Sequence, residues 1–170
     1  TRGPQIVSFV ADDFDNSDDI YSASDTLTVT FDLPTDRGGT DAKATSVEVE
    51  DMLIFSQPLG DSLFSQWSDD STLVITIISP EGAGDVLVGK STVRPRRRVR
   101  NAGCCAAYTR EGCAVSQVCC CYNATDLEPV PLSGDFGTLQ PPAIASFVGD
   151  DPDDGDGQYG GSDVLLVKFD

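Results

Sequence analysis

Ser8-Phe9-Val10-Ala11-Asp12-Asp13-Phe14-Asp15, near the start of the chain, returns near its end as Ser146-Phe147-Val148-Gly149-Asp150-Asp151-Pro152-Asp153. The likeness continues without a gap, Tyr21, Ser24-Asp25 and Val29-Thr30-Phe31-Asp32 being answered by Tyr159, Ser162-Asp163 and Val167-Lys168-Phe169-Asp170. Every pair is separated by the same offset of 138, from Ser8 to Ser146 and from Asp32 to Asp170. A fixed period is the mark of tandem modules. The expected organisation is one repeat over residues 1–142 and the first strands of the next over 143–170, a window on a longer array.

Inside the repeat the periodicity is that of strands. Thr26 to Leu33 alternates, with Leu27, Val29, Phe31 and Leu33 on one face, as a half-buried strand does. Gln5 to Val10 predicts the strand before it, and the acidic stretch from Asp12 to Asp19 the loop between them. Leu73-Val74-Ile75-Thr76-Ile77-Ile78, within Ser71 to Ser79, is the most apolar run and predicts the central strand. Val86 to Val93 predicts a further strand, and the single Trp67 a core anchor. Thr45-Ser46-Val47-Glu48 has the spacing of a capping box, with Val49, Met52, Leu53 and Phe55 following at helical intervals, so a short helix is expected there. Without the cysteine-bearing stretch 101–131, the period shrinks to about 100 residues, the size of an immunoglobulin-like sandwich. The expected fold is all-β: an immunoglobulin-like β-sandwich tandem repeat with a short helix and a disulfide-rich insertion.

A net charge of −17 and a pI near 4.1 repel polyanions, which excludes nucleic acid and anionic membrane surfaces and favours cations as partners. No apolar run approaches the roughly 20 residues of a membrane span. All six cysteines (Cys104, Cys105, Cys113, Cys119, Cys120, Cys121) are crowded beside the one glycosylation sequon, Asn123-Ala124-Thr125. Their even count predicts a disulfide knot, and the absence of histidine excludes a Cys/His zinc site while leaving a Cys-only one as the alternative. Adjacent cysteines sit only ~3.8 Å apart, too close to bridge, so Cys104 and Cys105 should tie to the Cys113–Cys121 side, with several pairings open. A knot beside an N-glycan at Asn123 implies an extracellular or cell-surface location.

Two charged stretches are the candidate sites. Asp12, Asp13, Asp15, Asp18 and Asp19, with Asp150, Asp151 and Asp153 in the second copy, concentrate hard oxygen donors suited to Ca²⁺. The spacing from Asp13 to Asp19 resembles an EF-hand opening, yet Ser24 stands where the bidentate Glu belongs and a strand follows. The plainer reading is a solvated turn held by Asx hydrogen bonds. Arg94, Arg96, Arg97, Arg98 and Arg100 form the opposite anomaly, for which a protease-processing site and a glycan or sulfate contact are alternatives. As an interface, these guanidinium forks would pair with carboxylates of a neighbouring module; as a plain feature, they would discourage strand-edge pairing. No His-dependent triad, zinc protease motif or phosphate-binding loop is present, so catalysis is not expected.

The string from Phe9 to Asp18, Tyr21 and Asp25-Thr26-Leu27-Thr28-Val29-Thr30-Phe31-Asp32 resembles the opening of tandem immunoglobulin-like repeats in giant extracellular surface proteins of flagellated algae, of the mastigoneme or flagellar-hair type. Trp67-Ser68-Asp69, Leu73 to Ile77, Val99-Arg100-Asn101-Ala102-Gly103 and Leu132-Ser133-Gly134-Asp135-Phe136-Gly137 continue the resemblance in the same order. In such repeats a short Ser/Thr/Ala-rich link joins the last two stretches; here the cysteine segment intervenes, which points to a specialised lateral contact. The resemblance implies a structural repeat of a fibrous glycoprotein that builds or lines a hair-like or sheath-like filament by self-association. The alternative is a calcium-dependent adhesion or ligand-binding ectodomain.

Overall fold

Alternation of apolar and polar residues determines which face of each strand is buried, and among the described residues of 1–138 it produces two sheets around one core. A computed structural model describes residues 2–14, 18–96, 98–102, 122–125, 128–137, 142–152, 158, 160–161 and 163–169. These fall into two units, 1–138 and 139–170. The strands of the first, in chain order, are β1 (Ile6–Asp12), β2 (Thr26–Phe31), β3 (Lys43–Ala44), β4 (Leu53–Phe55), β5 (Ser62–Trp67), β6 (Thr72–Ser79), β7 (Thr92–Pro95), β8 (Val130–Pro131) and β9 (Ser133–Gly134). A helix, α1 (Ser46–Met52), lies between β3 and β4. One sheet has the order β3-β5-β6-β2-β1-β9 and the other β4-β7-β8. The fold is all-β, and among the described residues no helix is long and apolar enough to cross a membrane.

β6 runs inside the larger sheet, antiparallel to β5 and β2. Leu73, Ile75 and Ile77 alternate inward from it, and register sets Leu27 of β2 opposite Ile75 and Val29 opposite Leu73. These cross-strand apolar pairs share a core with Leu53 and Val93 of the smaller sheet and with Val49 and Met52 of α1. Trp67 stacks on Phe31 at 6.2 Å between ring centroids, and its indole N–H donates to Thr40 Oγ1 at 3.2 Å. In β1, Ile6 and Phe9 are both buried although three residues apart. A register shift between Ile6 and Ser8 re-phases the strand, so that both side chains reach the same face.

α1 starts where the sequence predicts. Thr45 is its N-cap, with Glu48 N–H donating to Thr45 Oγ1 and Thr45 N–H donating to Glu48 Oε2 at 2.9 Å. The helix ends at Met52 because Leu53 turns extended (φ −128°) into β4, so Leu53 and Phe55 belong to a strand rather than to the helix. The strand expected over Val86 to Val93 is confined to its end, at β7. Gly89, at φ +78°, turns the chain there, and the Ser91 hydroxyl accepts from Leu87 N–H at 2.7 Å; Val86 alone of the early apolar residues is buried.

The second unit is a hairpin of β10 (Ile144–Asp150) and β11 (Val164–Phe169). Its register reproduces that of β1–β2 pair by pair: Phe147 faces Val167 as Phe9 faces Val29, and Asp150 faces Val164 as Asp12 faces Thr26. The shift between Ile6 and Ser8 recurs between Ile144 and Ser146. Burial is reversed, with Phe9 1% exposed and Phe147 64%, Leu27 0% and Leu165 47%.

Candidate functional site

The acidic loop begins where β1 ends and closes at the head of β2. Asp12 is exposed and Asp13 half-buried; Asp18 accepts Ile20 N–H on Oδ1 at 2.9 Å, an Asx turn, and Asp19 is exposed. Among the described residues the deepest carboxylate is one that the sequence did not single out as a site. Asp25 is fully buried, and its Oδ2 accepts Ser22 N–H at 2.6 Å. Beside it Tyr21 donates its hydroxyl to the Leu59 carbonyl at 2.6 Å and meets Phe136 edge-on at 5.4 Å. Burial, reinforced by the Asp25 charge, pushes the Tyr21 hydroxyl above the ordinary tyrosine range. In the second unit Gly160 N–H donates to Asp163 Oδ2 at 2.5 Å, the same bond at the same offset. Retention of Asp25 as Asp163 was the sequence signal for this residue. Asp150 is exposed and Asp151 half-buried, while Asp15 and Asp153 lie outside the described residues. Among the described residues no group of three or more carboxylates is disposed to hold a metal ion.

The arginine stretch is woven into its own module. Arg94 lies on β7 opposite Ile54, and Arg96 N–H donates to the Met52 carbonyl at 2.7 Å. Arg98 bonds the Gly38 carbonyl through Nε at 2.9 Å and Asp51 through a terminal nitrogen at 2.7 Å, joining the 37–39 turn to α1. Asp36 grips the backbone of Arg100 twice: its Oδ1 accepts Arg100 N–H at 2.9 Å, and its N–H donates to the Arg100 carbonyl at 2.8 Å. Arg94, Arg96, Arg98 and Arg100 are nevertheless exposed, and Arg97 lies outside the described residues. Exposure keeps Arg98–Asp51 modest, on the order of 1 kcal/mol or less.

The sequon follows directly. Asn123 forms an antiparallel bridge with Arg100, Ala124 N–H donates to the Val99 carbonyl at 2.7 Å, and Thr125 N–H to the Pro4 carbonyl at 3.1 Å. Tyr122 N–H donates to Asn101 Oδ1 at 2.7 Å, and Asn101 N–H to the Tyr122 carbonyl at 3.2 Å. Residues 99–101 and 122–124 are thereby held side by side, a two-stranded neck. Gly3 lies against it, where a Cβ would come 1.7 Å from the Asn123 carbonyl oxygen. Asn123 itself is exposed; Cys104, Cys105, Cys113, Cys119, Cys120 and Cys121 lie outside the described residues.

No protein-family model, no curated protein and no solved structure matches the chain.

Proposed function

We propose that this chain is an immunoglobulin-like β-sandwich repeat, with a disulfide-rich insertion, of an extracellular fibrous glycoprotein. Its role is mechanical, building or lining a hair-like or sheath-like filament, as in flagellar hairs, through module–module contacts. The observation that carries the reading is the duplication of a whole hairpin, bulge included, at one fixed offset. A repeating filament is made of such copies; an adhesion ectodomain can be too, and self-association separates the two. The neck at residues 99–101 and 122–124 supports a lateral position for the cysteine segment, and the exposed Asn123 supports an N-glycan on that same side. The exposed Arg94, Arg96 and Arg100 supply the cationic half of a contact whose anionic half is a neighbour's acidic loop, with Ca²⁺ as a candidate bridge between loops.

Negative-stain microscopy of the natively isolated protein, with and without a calcium chelator, is the test. Regular filaments with a one-module repeat are expected, loosening as salt rises past about 0.15 M, where the Debye length falls to ~8 Å. Loosening in chelator assigns the loops to calcium. Dispersed chains that bind another surface only with calcium would replace the filament with the adhesion ectodomain.

A further inference from the structure

β4 and β7 are antiparallel neighbours, and their pairing closes at Ser56 and Thr92. Ser56 N–H donates to the Thr92 carbonyl at 3.0 Å, and Thr92 N–H donates to Ser56 Oγ at 3.0 Å. One residue further along each strand, the Gln57 side-chain amide meets the Ser91 hydroxyl, with Nε2 donating to Oγ. The surroundings fix that encounter. The Asp85 carbonyl accepts from Gln57 Nε2 at 2.6 Å, which assigns the amide nitrogen to the Ser91 side and leaves Oε1 to accept the Ser56 hydroxyl. Leu87 N–H donates to Ser91 Oγ at 2.7 Å. Gly84 lies against the Gln57 stem, where a Cβ would come 2.7 Å from that of Gln57. Ser91 is 4% exposed and Gln57 half-buried.

A buried alcohol held against an amide, whose carbonyl oxygen already accepts a hydroxyl proton, is the starting arrangement of an acyl transfer. We propose that Ser91 and Gln57 join in an intramolecular ester that covalently closes this end of the β4–β7 pair. Ser91 Oγ attacks Gln57 Cδ, and the Oγ proton passes to Nε2, with which Oγ is in contact. The Oγ–Cδ bond forms, the Cδ–Nε2 bond breaks, and ammonia leaves, so that alcohol plus amide gives ester plus ammonia. The Ser56 hydroxyl, aligned by Thr92 N–H, stabilises the charge that develops on Oε1 during the attack. The reaction occurs once per chain, so positioning can carry it: well-held groups react at effective concentrations of about 10⁵–10⁸ M. Escape of ammonia into bulk solvent makes the step one-way, and burial of Ser91 keeps water from the product. Residues 58–90, which include β5 and β6, then lie inside a closed loop, so a pull on the ends of the module leaves about 110 Å of chain unextended. The proposal rests on these contacts and stands or falls apart from the filament reading.

The test is the intact mass of the full chain, carrying Asn123→Gln to remove the glycan and reduced to open any disulfide. The expected mass lies below that of the sequence by one ammonia, about 17 Da, and a protease digest should yield one branched peptide that joins residue 57 to residue 91. Hydroxylamine, which cleaves esters and spares amides, should split that peptide in two. Ser91→Ala should restore the full mass. Ser56→Ala removes the donor to Oε1 and should slow closure on the order of 100-fold, read as a smaller closed fraction in protein of equal age. The parent chain supplies the deciding reading, so a variant that fails to fold leaves the outcome intact. Full mass in the folded parent chain after a week at growth temperature overturns the proposal, as does a deficit that persists in Ser91→Ala or maps to other residues.

Discussion

Ile75 and Ile78 sit three residues apart on β6, yet on opposite faces of the sheet. Ile75 is 0% exposed between Leu27 and Ser65; Ile78 is 55% exposed. Ile75→Ala removes three buried carbons at ~0.8 kcal/mol each and leaves a cavity, which puts the loss at about 2.5–4 kcal/mol. Ile78→Ala should stay within about 0.5 kcal/mol. Trp67, the single tryptophan, pairs with Leu73 on the adjoining strand and reports unfolding of this sheet. Followed by its fluorescence in urea, with a slope of roughly 2 kcal/mol per molar, Ile75→Ala should lower the midpoint by more than ~1 M while Ile78→Ala barely moves it. Equal shifts, or a larger one for Ile78, would mean that β6 is placed one residue out of register. The inward face of the whole sheet would then be assigned wrongly, because a one-residue slip inverts every side chain of a strand.

Three further outcomes follow from individual bonds. Glu48 is held below the usual carboxylate range by the Thr45 N–H and hydroxyl, so its contribution is present above about pH 4.3 and is lost as pH falls through its lower folded value. Glu48→Gln keeps the box without the charge, and the stability gap between the two proteins should close on acidification in pH-dependent melts. Tyr21 has its folded value raised, so its contribution is complete below about pH 10 and is lost as pH rises beyond that. Tyr21→Phe should cost about 1 kcal/mol at neutral pH by stranding the Leu59 carbonyl, and should flatten the alkaline limb of the stability curve. Asn123→Gln should abolish the glycan in mass spectra of protein from a glycosylating host, with the melting temperature of the enzymatically deglycosylated wild type unchanged by the substitution.

The strands that sequence reads well here are those with one wet and one dry face. β2 alternates strictly and β6 is read from its apolar run, whose burial alternates from Leu73 to Ile77, and the structure places their ends within two residues of the expected bounds. The capping box is a local device, complete within four residues, and it was equally legible. β5 was not. Its buried inward positions are Ser65 and Trp67, with Leu63 half-buried beside them, while Phe64 points outward, so the apolar pattern that identifies strands is weak, and pairing with β6 and β3 defines it. The stretch from Val86 to Val93 failed for the complementary reason. Its run of apolar residues looks like a strand, but Gly89 and the Ser91–Leu87 bonds turn the chain, and a turn is decided by dihedral angles rather than by hydropathy.

The acidic loop shows the same division at the level of function. Composition singles out its exposed acids, since charge is visible in any sequence, but burial separates a carboxylate that holds the loop from one that faces solvent. Asp25 accepts Ser22 N–H beneath the surface, and its counterpart Asp163 accepts Gly160 N–H across the same three-residue span. Between these two copies Phe14 has become Pro152, Ser22 has become Gly160 and Ala23 has become Gly161, while the acid and its bond have stayed. A backbone N–H donor tolerates exchange of the side chain above it, whereas the acceptor must remain a short carboxylate at that position. The internal brace is therefore kept between the copies, together with Asp12, Asp13, Asp15 and Asp18, which return as Asp150, Asp151, Asp153 and Asp156, while Asp19 has become Gly157.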